Sequence, residues 1–347
     1  MRDSLINPYH GTGLGLGCEM PISDSRAAMA LIARCPAYAP TPLRDVPALA
    51  ALTGVAQVLI KDERDRMGLG GFKALGAAYA IAQEAVEAGA DTPAQALQGR
   101  VYVCASAGNH GLSVAAGARI FGARAVIYLA QSVPEAFAER LRAKGAEVVR
   151  AGETYEQSMA AAQAEAQSQG WTLLSDSTWP GYITPAMRVM EGYLVLAHEM
   201  LAQLETAPTH VLLQAGVGGL AAAVAAFIRA NWGAAPQIIV VEPDAAPALI
   251  ESIRAGHVVT TSGPVSMMGR LDCKTPSMVA LAGLARDADR FVTLSESEAE
   301  AGVAQLAKLG LATTPSGGAG LCALIAGLDL GADARVLAIL SETREDG

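Results

Sequence analysis

A lone lysine, Lys73, stands in Gly71-Phe72-Lys73-Ala74-Leu75-Gly76, between an aromatic residue and an apolar run whose pattern continues as a helix through Ala77, Ala78, Tyr79 and Ile81. An ammonium among apolar neighbours is costly unless its charge is paired, neutralised or used, and one chemical use is a Schiff base. The competing reading is a lysine that lays its stem on apolar surface and sends its charge to water. A second stretch, Ser106-Ala107-Gly108-Asn109-His110-Gly111, follows the strand-like run Val101-Tyr102-Val103-Cys104-Ala105 and precedes a helix-like run at 112–121. A strand, a tight turn with glycines and a helix start aim several backbone N–H groups into one space, where they can hold a carboxylate or phosphate. Asn109 adds a side-chain donor and acceptor; an ordinary β-to-α turn of small residues has the same composition. The third stretch, Gln214-Ala215-Gly216-Val217-Gly218-Gly219-Leu220, lies between the strand-like run 210–213 and an alanine-rich helix. Its glycines and the following helix N-terminus outline a phosphate cup, but the P-loop lysine and the dinucleotide spacing are both missing.

These stretches need elements to position them. Apolar strand-like runs at 124–129, 146–149, 210–213, 237–241 and 335–340 alternate with alanine-rich helical segments, which predicts an α/β architecture with parallel sheets covered on both faces. Pro134 to Gly145 reads as one helix, with proline first, acids early, bases and glycine late. At 347 residues the chain is long enough for about two domains and a large core. A net charge of −9 and a pI near 5.1 argue against nucleic acid as partner. The chain is 52% hydrophobic with a mean hydropathy of +0.30, yet no uncharged apolar run of about 18 residues is present to span a bilayer. The cysteines Cys18, Cys35, Cys104, Cys273 and Cys322 are odd in number and scattered, so neither a disulfide framework nor a zinc site is indicated. The N-terminal residues lack a charged region followed by an apolar stretch, which points to the cytoplasm.

In this order, the three stretches resemble the fold type II pyridoxal-phosphate enzymes, and the resemblance covers nearly the whole chain. Within that family the chain is most similar to the diaminopropionate ammonia-lyase group, with threonine and serine dehydratases next. Pro40-Thr41-Pro42-Leu43, Ile60-Lys61-Asp62-Glu63 and Pro315-Ser316-Gly317-Gly318-Ala319-Gly320 carry it further. The resemblance implies a two-domain architecture like the tryptophan synthase β subunit, with parallel-rich sheets flanked by helices. A large domain of residues 1–90 and 173–347 would hold a smaller mobile one of 91–172, in a homodimer. It implies pyridoxal 5'-phosphate carried covalently by Lys73 beside Phe72, its ring oxygen facing Asn109. Gly216, Val217, Gly218, Gly219 and Leu220 would bind its phosphate, and the last strand would supply a ring-nitrogen partner, Ser341, or Thr343 if the register shifts. The substrate carboxylate would sit on Ser106, Ala107, Gly108 and His110. The implied activity is α,β-elimination from a small β-substituted amino acid, giving a 2-oxo acid and ammonia.

Leu174-Ser175-Asp176-Ser177-Thr178-Trp179-Pro180-Gly181-Tyr182 is similar to an ammonia-lyase segment whose aspartate works as acid or base, although Asp-Ser-Thr also makes a good helix cap or turn. The departures matter as much. Ala107 stands where ammonia-lyases acting on both diaminopropionate enantiomers carry an aspartate, which removes a second base. In Met268-Gly269-Arg270-Leu271-Asp272-Cys273-Lys274-Thr275, Thr275 replaces the family's glutamate, while Arg270 and Lys274 add cations that favour an acidic substrate such as 3-hydroxyaspartate, or serve as solvated surface charge. A β-replacement synthase of the cysteine synthase type, or a non-catalytic amino-acid-binding protein, would use the same lysine, turn and cup.

Overall fold

The computed structural model describes residues 3–344. Its strands are, in chain order, β1 (Ser4–Ile6), β2 (Leu43–Asp45), β3 (Gln57–Asp62), β4 (Val101–Ala105), β5 (Arg124–Leu129), β6 (Glu147–Arg150), β7 (Thr172–Leu173), β8 (His210–Gln214), β9 (Gln237–Pro243), β10 (Arg290–Leu294) and β11 (Arg335–Leu340). Among the described residues they form two sheets. One has seven strands in the order β1-β10-β9-β8-β11-β3-β2, and the other four in the order β6-β5-β4-β7. The four-stranded sheet is parallel throughout. The larger sheet is parallel in its centre but ends in two short antiparallel strands, β1 and β2, so it is mixed rather than purely parallel. Neither edge strand exceeds three residues, too few for an alternating pattern to show in the sequence.

The central strands are apolar at nearly every position because both faces are covered. Leu213, Val240, Leu337 and Ile339 enter one core, while Leu212, Ile239, Val336, Ala338 and Leu340 enter the core on the opposite face. Helices Thr184–Gln203 and Gly219–Trp232 build the first of these layers and Pro315–Ile325 the second. The expected helix at 134–145 forms as Glu135–Ala143, with Pro134 at its N-cap. No helix among the described residues is long and apolar enough to cross a membrane.

One polar cluster sits wholly inside. Lys61, Glu63 and Arg66 have no exposed surface and Glu199 only 3%. Lys61 Nζ lies 2.6 Å from Glu199 Oε2, and the Arg66 guanidinium contacts Glu63 at 2.7 Å and Glu199 at 2.7 Å. Lys61 also donates to Thr41 O at 2.7 Å, and Arg66 to Ala39 O at 3.1 Å. Two cations thus meet two anions, joining β3, the segment at 39–41 and the helix Thr184–Gln203. Removing one member strands a buried charge, so Arg66→Met is expected to destabilise the fold by about 3–5 kcal/mol. Urea unfolding midpoints of the variant and parent measure this; a shift within error would mean that the cluster repacks freely.

Candidate active site

Lys73 lies in the short 3-10 turn Phe72–Leu75 that feeds the helix Gly76–Glu87. The turn is fastened to the end of β11: Phe72 N donates to Ser341 O at 3.0 Å, and Gly71 bridges Glu342. The Phe72 ring packs edge-on against Tyr193, with centroids 4.9 Å apart. Lys73 does not send its ammonium to water; Nζ turns inward and pairs with the carboxylate of Asp176. Burial pulls the Lys73 pKa down, but the adjacent Asp176 charge outweighs it and the net shift is upward. Burial likewise pushes Asp176 up, while Lys73 and then His110 pull it well below the usual carboxylate range. Both members are charged at neutral pH.

Asp176 caps no helix, and the loop that carries it is pinned on several sides. The Tyr182 hydroxyl donates to Leu173 O at 2.9 Å and accepts from Ser175 N at 2.9 Å. The rings of Trp179 and Tyr182 stack at 4.2 Å, and Thr178 Oγ1 bonds Ser277 Oγ at 2.8 Å. His110 Nε2 donates to Leu174 O at 2.8 Å, while buried Nδ1 has no partner among the described residues. Burial lowers the His110 pKa, so the ring is neutral.

The glycine loop connects β8 to the helix Gly219–Trp232. Gly218 has φ +96°, a left-handed conformation in which a side chain is strained. A Cβ at Gly216 would lie 3.0 Å from Cys273 Sγ and 3.0 Å from the Leu271 Cα. Among the described residues no hydrogen bond occupies the N–H of Gly216, Gly218, Gly219 or Leu220, and the Val217 carbonyl accepts from Ser277 N at 2.9 Å. Free amides at a helix N-terminus, next to a lysine, fit the phosphate and the aldehyde carbon of pyridoxal phosphate. Ser341 is buried and its Oγ has no partner among the described residues, and the Thr343 backbone N–H donates to Gly70 O at 3.1 Å. Cys273 stays a thiol, since burial and then Asp176 push it up to about 12.

In the turn at 106–110, Ser106 Oγ accepts from Gly108 N at 3.3 Å and Gly111 N at 3.1 Å, so the hydroxyl shapes the turn. Ala107 is exposed. Asn109 Nδ2 donates to Gly70 O at 3.3 Å and to Glu342 Oε2 at 3.2 Å. Of the two cations expected nearby, the structure brings in one. Arg270 pairs with Glu342 and packs on the turn, its Nε 3.4 Å from where a Gly108 Cβ would be. Lys274 points elsewhere: Nζ donates to Ala245 O at 2.8 Å and Pro264 O at 2.9 Å and pairs with Asp272 at 2.6 Å. It is therefore neither a substrate cation nor a solvated surface charge, because a carboxylate and two carbonyls use its donors. Thr275 Oγ1 bonds Thr260 Oγ1 at 2.9 Å in an exposed position.

Two residues at the site, Glu342 and Tyr193, escaped sequence reasoning, while Cys273 lay in a segment the family resemblance had marked. Glu342 ties Arg270, Asn109 and Thr314 together; an acid just past the C-terminal end of a parallel strand was a usable signal. The Tyr193 hydroxyl is buried without a partner among the described residues, on the ring that packs Phe72. Cys273 closes the glycine loop. A clean test of the loop is Gly219→Asp, because a Cβ there meets nothing nearer than 3.5 Å and the added charge acts without steric strain. Affinity for pyridoxal phosphate is expected to fall by about 100-fold or more, ~3 kcal/mol, in fluorescence titration, with thermal unfolding near parental. Unchanged affinity would remove the phosphate from this loop.

Comparisons with known proteins agree with this geometry. The family model described as "Pyridoxal-phosphate dependent enzyme" matches residues 35–342. Diaminopropionate ammonia-lyase of Escherichia coli (strain K12) is 33% identical over 297 residues, covering 81% of this chain and 74% of that protein. A serine dehydratase-like protein of Homo sapiens is 30% identical over 295 residues, covering 84% of each. The crystal structure of the E. coli diaminopropionate ammonia-lyase in complex with an aminoacrylate-PLP azomethine reaction intermediate superposes with a TM-score of 0.87 at 30% identity, over 99% of this chain and 94% of the other. Lysine, glycine loop, sheet topology and sequence relationship converge, and the chain belongs to the pyridoxal-phosphate dependent enzyme family.

Proposed function

We propose that this enzyme is an ammonia-lyase that performs α,β-elimination on a small L-configured β-substituted amino acid, releasing a 2-oxo acid and ammonia. The observation that carries the reading is the half-buried Lys73–Asp176 pair, beside Gly219 of the glycine loop and within the electrostatic reach of His110. The named relatives, an ammonia-lyase and a serine dehydratase-like protein, support the same reaction class.

Bound pyridoxal phosphate supplies an electron sink that weakens the α-C–H bond of an amino acid joined to it. The residues of this chain do the rest. Backbone N–H groups of the turn at 106–110 receive the substrate α-carboxylate and fix which bond stands perpendicular to the ring. Once the site closes to water, passing the Lys73 proton to Asp176 yields a neutral pair, since a charged pair is costlier in a dry site. Lys73 Nζ then takes the α-proton, and Asp176 gives its proton to the departing β-substituent. Charge returns to the starting pair, one proton having moved from carbon to the leaving group. The released enamine hydrolyses to the 2-oxo acid and ammonia. Ser341 Oγ would hold the ring nitrogen of the bound cofactor by donating its O–H, which leaves that nitrogen uncharged and suits elimination. With Ala107 in the turn, no carboxylate stands at that place to remove a proton from the opposite face, so L-substrates are favoured.

The test is a panel of β-substituted amino acids assayed for both products. Lys73→Ala is expected to abolish turnover and the borohydride-sensitive visible absorbance of the attached cofactor while the fold survives. Asp176→Asn is expected to lower kcat by about 10²–10⁴-fold with the cofactor still attached. Substantial activity in Lys73→Ala, or an Asp176→Asn enzyme at parental rate, would overturn these assignments.

A further inference from the structure

Arg270 is the one cation of its segment that reaches the substrate turn, and its surroundings assign it a use. Its backbone abuts the glycine loop: Arg270 O lies 3.3 Å from where a Gly216 Cβ would be. Its side chain then crosses to the turn, with Nε, Cδ and Cγ at 3.4, 3.8 and 3.9 Å from a Cβ built on Gly108. The guanidinium ends on the Glu342 carboxylate, and the backbone N–H is fixed by Ser316 Oγ at 3.1 Å. The arginine thus spans the cleft from the phosphate end to the place where the substrate α-carboxylate binds.

We propose that Arg270 is a specificity-determining residue that receives a second carboxylate on the substrate's β-carbon, so that the preferred substrate is a β-substituted acidic amino acid of the 3-hydroxyaspartate type rather than a diamine. This rests on the ammonia-lyase reading above and narrows it. In such a substrate the two carboxyl carbons hang from neighbouring atoms. When one carboxylate occupies the N–H groups of the turn, the other falls beside Gly108, against Arg270. A guanidinium presents a planar fork of donors that matches a carboxylate, which an ammonium does not.

Recruiting Arg270 leaves no carboxylate stranded. Glu342 keeps the hydrogen bonds from Asn109 Nδ2 and Thr314 Oγ1 when Arg270 bridges to, or exchanges for, the substrate. A β-ammonium such as that of diaminopropionate would meet the Arg270 guanidinium at this place rather than a carboxylate, since Glu342 is already engaged by Arg270, Asn109 and Thr314, while Lys274 stays on Asp272, Ala245 O and Pro264 O. For the dicarboxylate the chemistry balances: the α-proton goes to Lys73, the β-hydroxyl leaves as water with the proton of Asp176, and hydrolysis of the enamine gives a 2-oxo dicarboxylic acid and ammonia.

The decisive measurement is a binding ratio. L-aspartate and L-alanine differ only by the β-carboxylate and neither carries a leaving group, so absorbance titration of the holoenzyme reads recognition without turnover. The parent is expected to bind L-aspartate at least about 10-fold more tightly than L-alanine, and Arg270→Ala and Arg270→Gln to bring the ratio near one, with Arg270→Lys between. A parallel kinetic arm compares kcat/KM for the 3-hydroxyaspartates, L-serine and 2,3-diaminopropionate, and the acid-to-serine ratio is expected to collapse by at least about 30-fold in Arg270→Ala. Equal weakening of both amino acids would make Arg270 an α-carboxylate ligand and overturn the proposal. A parent that binds the two alike would overturn it as well. Aspartate preference without elimination from any substrate would instead sink the ammonia-lyase reading and leave the recognition intact.

Discussion

The buried quartet of Lys61, Glu63, Arg66 and Glu199 fixes where Lys73 can be. Each charge is out of water and tolerable only while its partners stay within hydrogen-bond reach, so the end of β3 has almost no freedom relative to the helix Thr184–Gln203. From Arg66 the chain runs to Lys73 through a short loop held in unusual conformations: Met67 at φ 52°, Gly68 at 65° and Gly70 at 79°. A β-carbon at Met67 resists that conformation, and the fastened residue before it maintains it. The far end of the loop is nailed by Phe72 N to Ser341 O. A lysine anchored at both ends can meet Asp176 in one geometry, which a proton relay requires.

The site gathers at the carboxyl ends of parallel strands from both sheets. β4 runs into Ser106, β7 into the Asp176 loop, β8 into the glycine loop and β11 into Ser341 and Glu342. Two ion pairs divide the work there. Lys73–Asp176 is the pair to which we assign proton transfer, and Arg270–Glu342 reaches across to the turn and shares its carboxylate with Asn109. In the proposed reaction the first pair serves any amino acid that enters, and the second is the one that would sense what the amino acid carries beyond its α-carbon.

Much of this was legible in the sequence where the signal was local. The runs 124–129 and 335–340 form β5 and β11 with those bounds, and the strand-turn-helix stretches became the glycine loop and the turn before Asn109–Ile120. Lys73 stood out because an ammonium in an apolar run demands a reason. What failed to show was decided by distant residues. Lys274 looked like a substrate cation, but its partners come from Ala245, Pro264 and Asp272, and only the folded chain brings the first two to it. Glu342 gains its place only in the fold, where Arg270, Asn109 and Thr314 arrive from separate segments. The three-residue strands β1 and β2 owe their existence to the edges they cover rather than to any pattern of their own.

β11, formed by residues 335–340, lies not at the edge of its sheet but in the middle, between β8 and β3. Until that strand inserts, β3 and β8 have no common neighbour, Phe72 has no carbonyl to hold it and the lysine turn has no anchor. A growing chain therefore carries Lys73 and the glycine loop synthesised but unassembled until residues 335–340 are made, and the pairings that complete the site join segments far apart in sequence. Such long-range closure is slow and leaves apolar strand edges open in the interim. The order of synthesis thus delays competence: cofactor capture waits for the insertion of β11, and early emergence of Lys73 from the ribosome gives it no early reactivity.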